Sequence, residues 1–296
     1  MITRKLNWVS AVRKSDAAAI ISLDLKLSAF YTGNKNYYSD IDFTANNWIN
    51  PEEEGYKQIL SYIFKSKRIC EFGCGSANVL KHFPQLQEKY SGCDFSTELI
   101  NQNRQTFPAA SFEEIRVPNL LPYVNEMFDL VFSVFVIEHS SNPAKLLDEC
   151  NRILQPGGRL LILCPDFLGK GRMSSQRAGW TEGNTKDKLK KRKYLDAILT
   201  FFDNRIRIPL YCFILRLRAQ KHPRFLINVT PTLFEDKFYP DVDAVYVTFK
   251  REIIKYLGKN FVLENNSIDL DKYTKDKRLI FLSFIKRKKM YDSDIK

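Results

Sequence analysis

Apolar residues recur along this chain in two alternating rhythms. After Pro51 they fall at Tyr56, Ile59, Leu60, Ile63 and Phe64, the i, i+3, i+4, i+7, i+8 spacing of one helical face. Asn50 is placed as the N-cap, Pro51 at the first helical position, and Glu52, Glu53 and Glu54 in the first turn, where carboxylates complement the helix dipole. Arg68 to Phe72 then reads as a short strand, Gly73 and Gly75 as a turn, and Val79, Leu80 and Phe83 as the inner face of a second helix. The segment "YSGCDF" predicts a second strand, and Ser96 caps the helix "STELINQNRQTF". "SFEEIRV" follows as a third strand and "FDLVFSVFV" as a buried fourth. "NPAKLLDECNRIL" sets Leu146, Leu147, Cys150, Ile153 and Leu154 on one helical face, and "PGG" turns the chain into a fifth strand, "RLLILCP".

Strand and helix alternating in this way predict a parallel sheet covered on both faces, with a ligand at the carboxyl ends of the strands near the switch point. After residue 166 the rhythm stops. It resumes with the helix "TFKREIIKYL", ended by Gly258 in a left-handed C-terminal position, then "FVLEN" and the final strand "RLIFLSFIKRK". The expected fold is α/β: a doubly wound, mostly parallel sheet of seven strands, the last antiparallel, with helices on both faces and an inserted helical lid. Four segments follow: an N-terminal cap over 1–49, a core over 50–166, a basic helical insertion over 167–245, and a helix with a strand pair over 246–296 that completes the core.

With 296 residues, 44% of them hydrophobic, the chain has enough apolar surface for a full core and is not disordered. No apolar run approaches the roughly 20 residues of a membrane-spanning helix. The apolar N-terminal stretch is broken by Asp24 and Lys26 and shows no clear cleavage site, so a cytoplasmic protein is expected. The six cysteines sit mostly in apolar runs without paired spacing or a His set, which points to buried thiols and to no metal site.

Charge is unevenly placed. Residues 1–165 carry 17 Lys and Arg against 18 Asp and Glu, whereas 166–296 carry 29 against 16, and 166–225 alone hold 15 against 5. A local basic excess of this size suggests an anionic partner or substrate, although a solvated lysine-rich face has the same composition.

The chemistry concentrates in "RICEFGCGSANVLKHF". In a strand, glycine turn and helix unit, the missing side chains let a ligand lie against the backbone, with the helix N-terminus nearby. The third glycine of a dinucleotide-type GxGxxG is absent here, since Asn78 stands in its place, which weakens a nicotinamide-dependent oxidoreductase reading. Asp94, 19 residues past Gly75 at the end of the second strand, suits a ribose diol because a carboxylate accepts two hydroxyl hydrogen bonds.

The segments "EFGCGSA", "GCDFS", "FDLVFSVFVIEH" and "RILQPGGRLLIL", in that order, resemble class I S-adenosylmethionine-dependent methyltransferases over roughly residues 50–166, with the last helix and strands resuming near 246. The resemblance implies S-adenosyl-L-methionine as cofactor. It implies that Glu71 lies beneath the methionine part and meets its ammonium, and that Gly73, Cys74 and Gly75 bring backbone against it. Asp94 holds the ribose, Phe95 packs on the adenine, and Phe135 borders the methionine tail. The family often has an Asp about eleven residues before the "FD" pair; this chain has Val117 there, and Asn119 is the substitute. A sulfonium carries an activated methyl, so catalysis mainly requires a nucleophile held close and in line with water excluded. His139 is the candidate general base for an oxygen nucleophile, unless Glu138 and His139 only bond the loop, and Asp166 is a second candidate. Asp129 reads as structural.

The insertion is expected to carry acceptor specificity. Pro209 separates two helices in which Arg and Lys mix with aromatic and aliphatic residues. They form a lid on the core, an element lying on an anionic membrane through residues 170–224, peripheral to its inner face, or a nucleic-acid groove. Nucleic acid is disfavoured: strand four lacks an NPPY or DPPY sequence, and there is no Pro-Cys nucleophile. "YPDVDAVYVTFKREIIKYL" is similar to methyltransferases of surface-polysaccharide assembly, and the aromatic "FYTGNKNYYSDIDFTANNW" suits a cap over the cofactor. The expected activity is O-methylation of a small-molecule, glycan or lipid-linked acceptor. RNA methylation and a non-catalytic module binding an anionic partner are the alternatives.

Overall fold

The computed structural model describes residues 5–33, 54–169, 173–233, 243–264 and 279–288. The strands are β1 (Trp8–Ser10), β2 (Ile69–Phe72), β3 (Tyr90–Asp94), β4 (Ser111–Glu114), β5 (Phe128–Val134), β6 (Leu154–Pro165), β7 (Leu226–Asn228), β8 (Phe261–Leu263) and β9 (Leu279–Lys286). The α-helices are α1 (Ala17–Gly33), α2 (Glu54–Lys65), α3 (Asn78–His82), α4 (Thr97–Thr106), α5 (Pro143–Ile153), α6 (Thr185–Lys190), α7 (Tyr194–Phe202), α8 (Ile208–Lys221) and α9 (Lys250–Leu257).

Seven strands form one sheet in the order β4-β3-β2-β5-β6-β9-β8. The first five are parallel, and β9 runs antiparallel to both of its neighbours. Strand order reverses between β2 and β5, which opens a crevice at their carboxyl ends. Alternate side chains along the central strands supply two cores. Leu160, Ile162 and Cys164 of β6 join one face with Leu147, Cys150 and Ile153 of α5; Leu161 and Leu163 join the other with Ile59, Leu60 and Ile63 of α2. Burial on both faces is why these strands read as continuous apolar runs. All six cysteines are buried with free thiols.

Local signals explain most boundaries. Ser96 accepts the Leu99 N–H and caps α4, and Asn142 accepts the Lys145 N–H and caps α5 with Pro143 in its first turn. Asp129 accepts the Lys67 and Arg68 N–H groups at 2.8 Å each, fastening the start of β2 to β5. The cap expected at Asn50 and Pro51 lies outside the described residues, as does most of the aromatic N-terminal segment.

Three expectations are corrected. "PGG" does not precede the fifth strand but lies within it: β6 begins at Leu154, and a register shift between Phe128 and Leu130 takes up the extra residues, with Gly157 at φ +82°. Gly258 is right-handed, at φ −56° and ψ −14°, because α9 runs on into a turn in which the Asn260 N–H reaches the Leu257 carbonyl. Pro209 does not separate two helices. A π-helical segment, Asp203–Arg207, joins α7 to α8, and its wider turn makes room for a proline ring that would otherwise crowd the carbonyl four residues back.

Residues 173–221 pack through a third, smaller core. Phe167, Leu168, Trp180, Ile208, Cys212 and Ala219 belong to it, together with Val247 and Phe249. The antiparallel pair β1 and β7 ties the N-terminal segment beside it, with Val9 opposite Ile227.

Candidate active site

The glycine turn leaves β2 in a conformation only glycine adopts at low cost. Gly73 has φ +70°, and a Cβ there would stand 2.4 Å from the Val136 side chain, so both backbone and packing demand glycine. Gly75 has φ +50°, and a Cβ would meet nothing within 4 Å, because its open side faces the crevice. The Gly73 N–H donates to the Cys93 carbonyl at 2.7 Å, and the Gly75 N–H to Asp94 Oδ2 at 2.9 Å. Asp94 Oδ1 accepts the Ser96 N–H at 3.0 Å. Burial raises the Asp94 carboxyl above its ordinary value, and the N–H groups of Ser96, Gly75 and Phe95 oppose that shift.

Beneath the turn lies Glu71, buried and accepting a hydrogen bond from the Tyr90 hydroxyl. Burial pushes its carboxyl up to about 8; the Tyr90 bond works against this, and the nearby Asp94 adds to it. A cation placed here would favour the ionised carboxylate.

These residues line one cleft of about 230 Å³. Glu71, Gly73, Cys74, Gly75, Asp94, Phe95, Asn119, Phe135 and His139, all expected from the sequence, border it. Phe95 is 37% exposed, and Phe135 leaves β5 at φ +57°. Asn119, at φ +58°, is buried and tied into the wall: its amide donates to Ser141 Oγ at 3.0 Å and accepts from Ser140 Oγ at 2.5 Å. Ser141 in turn donates to Asp24 of α1. The side chain expected to meet adenine therefore holds the wall of the cleft to the N-terminal helix.

Asp166 is not brought to the cleft, which corrects its placement as a second base. It is buried past the end of β6, where Oδ1 accepts the Gly169 N–H at 3.0 Å and closes a turn. The Glu138 carbonyl accepts the Val245 and Tyr246 N–H groups at 2.8 Å each, a loop-fastening role.

His139 is differently placed. Its Nδ1 lies 3.1 Å from the Tyr31 hydroxyl and 3.3 Å from Asp243 Oδ2, and Tyr31 donates to that same Oδ2 at 3.0 Å. A hydroxyl has one proton; given to Asp243, it leaves the Tyr31 oxygen to accept from Nδ1–H, so Nε2 becomes the ring's acceptor nitrogen. Neither Tyr31 nor Asp243 was picked out from the sequence. Each lies in a stretch noted there for other reasons, and only folding joins them.

A reversed strand order, a glycine turn open on one side and a carboxylate at the next strand end define an α/β domain built to hold a nucleoside-bearing cofactor. Residues 70–162 match the methyltransferase domain family. A probable S-adenosylmethionine-dependent methyltransferase of Mycolicibacterium smegmatis is 28% identical over 125 residues, 42% of this chain and 47% of that protein. Trans-aconitate 2-methyltransferase of Rhodopseudomonas palustris is 29% identical over 106 residues, 34% and 40%. A probable tRNA methyltransferase 9B of Homo sapiens is 30% identical over 136 residues, 45% and 27%. The chain spans less than half the length of these curated relatives. Over residues 70–162 the chain is thus similar to methyltransferase domains, among them one named for S-adenosylmethionine dependence.

Proposed function

We propose that the protein transfers a methyl group from S-adenosylmethionine to a hydroxyl oxygen of a small-molecule, glycan or lipid-linked acceptor. The observation that carries this reading is the Tyr31, His139 and Asp243 group at the cleft that holds the cofactor turn. The bound cofactor supplies a methyl already activated on a sulfonium. Gly73 and Gly75 would let it approach the backbone, Asp94 would accept from its ribose hydroxyls, and Glu71 would balance its ammonium. His139 Nε2 would take the acceptor's hydroxyl proton as general base, and Asp243 would stabilise the resulting imidazolium. Helix α1 covers the cleft through Asp24, Leu27, Ser28 and Tyr31 and excludes water during transfer. A relative named for trans-aconitate supports a small acceptor, and residues 167–245 form the acceptor-side insertion.

Titration calorimetry with S-adenosylmethionine and S-adenosylhomocysteine, using NAD as control, tests the cofactor site. Asp94→Ala should weaken binding about ten-fold or more, roughly 1.4 kcal/mol. Failure of both sulfur ligands to bind would sink the reading. Acceptor screens with labelled methyl groups then separate a hydroxyl acceptor from tRNA, the reading that the human relative suggests.

A further inference from the structure

We infer that residues 190–221 form an interfacial element that docks the protein on an anionic lipid surface. From Tyr194 to Lys221 the chain is one helical rod, joined through its π-helical segment, with two unlike sides. The side toward the protein is mostly small: Ala197, Thr200, Cys212 and Ala219 are buried there, with Ile208 the one large apolar side chain among them. The opposite side is large. Leu195 is 72% exposed, Ile198 64%, Leu210 57% and Phe213 55%, with Phe202 and Leu217 on the same stripe. A surface helix of a soluble protein ordinarily has the reverse arrangement. Among the described residues, twelve of the twenty-two exposed large apolar side chains fall between 194 and 217. So dense a patch marks an interaction site rather than scattered surface.

Charge selects the occupant. Between 190 and 221 there are nine Lys and Arg against two Asp. One of the two, Asp203, is buried and paired with Arg207 at 3.4 Å. Lys190, Lys191, Arg192 and Lys193 stand at one end of the apolar stripe, and Arg216, Arg218 and Lys221 at the other. Cations at both ends of an apolar stripe match anionic headgroups above acyl chains, with the long basic stems reaching up to the phosphates. A second copy of this chain would bring two such cationic sets together across a two-fold axis. Nucleic acid would satisfy the cations but leave the aliphatic side chains in water. Among the described residues no helix is long and apolar enough to cross a membrane, so the contact is peripheral. The rod's inner face packs on Phe167 and Leu168, directly past the carboxyl end of β6, so the docking face belongs to the end of the sheet that holds the cleft.

Vesicle sedimentation with the full chain tests this, and needs neither cofactor nor acceptor, so it stands apart from methyl transfer. Binding to phosphatidylglycerol-containing vesicles should exceed binding to phosphatidylcholine alone by about ten-fold or more, and should fall with salt. Leu195→Glu combined with Phe213→Glu should weaken it at least about ten-fold. Replacing Lys190, Lys191, Arg192 and Lys193 by Gln should flatten the salt dependence. Unchanged cofactor affinity in each variant shows that the fold is intact, since none of these residues lines the cleft. Absence of wild-type binding to anionic vesicles overturns the inference, as does equal binding by the Glu variant. A dimer in sedimentation velocity that the Glu pair dissolves overturns it in favour of a second copy.

Discussion

The Tyr31 hydroxyl donates to Asp243 Oδ2 at 3.0 Å across 212 positions of sequence, with His139 Nδ1 beside both. This contact holds the imidazole in one tautomer from two separate elements, the end of α1 and the segment before α9. His139→Ala should lower kcat about 10²- to 10⁴-fold while S-adenosylmethionine affinity stays within about three-fold. Asp243→Asn should lower kcat less, by about ten-fold or more, because the imidazolium loses its carboxylate. Equal kcat in the wild type and in His139→Ala would remove the general base.

With the proposed ammonium beside it, Glu71 should make cofactor binding a proton-linked event. Its carboxyl, pushed up to about 8, is mostly neutral at pH 7 in the ligand-free cleft, and an ammonium beside it favours the charged form. Binding should therefore release a proton at pH 7, and affinity should rise with pH up to about 8, by at most about ten-fold per pH unit. Calorimetry in two buffers of different ionisation enthalpy measures the released proton; a buffer-independent enthalpy contradicts it. Because the folded value lies above the ordinary carboxylate value of 4.5, the group's contribution to stability is present at low pH and is lost as pH rises from there through about 8. Glu71→Gln should remove both dependences.

The two glycines of the turn separate fold from function. Gly73→Ala meets both a left-handed backbone and Val136, so it should cost about 2–4 kcal/mol of stability as well as cofactor affinity. Gly75→Ala has open space around it, so it should cost only about 1–2 kcal/mol of stability from the backbone, while affinity falls about ten-fold or more because the added methyl occupies the ligand's side of the turn. Chemical denaturation and calorimetry on both variants distinguish the two losses.

Glu252 is a structural counterpart. Its buried carboxylate accepts from the Arg224 N–H at 2.7 Å, the Phe225 N–H at 3.0 Å and the Tyr246 hydroxyl at 3.0 Å, tying α9 to the chain before β7. Glu252→Ala leaves two buried donors and one part-buried donor without their acceptor and should lower unfolding free energy by about 3 kcal/mol, with cofactor affinity unchanged if the protein stays folded. Denaturant melts check the first expectation and calorimetry the second.

The core and its cofactor turn were legible because their causes are local. Burial on both sheet faces writes itself as apolar runs at β2, β5 and β6, amphipathic spacing marks α2 and α5, and Gly73 and Gly75 are demanded by backbone torsion. The sequence misled where a neighbour decided the outcome. Gly158, read as part of a turn, lies inside β6 because the strand pairs with β5 on either side of it, at Leu154 and Arg159, and the helix runs on at Pro209 because the π-helical segment before it gives the ring room. Asp166 stands at a strand end like Asp94, yet only Asp94 meets the glycine turn, since that contact depends on which strands are adjacent. Sequence by itself thus determined the sheet's strands, the glycine turn and the position of the acid that follows it, each set by period, torsion or short spacing. Tertiary structure alone decided that Tyr31 and Asp243 meet His139, that Asn119 braces the wall, and that the larger side of the rod faces outward, because each depends on contacts between segments distant in the chain.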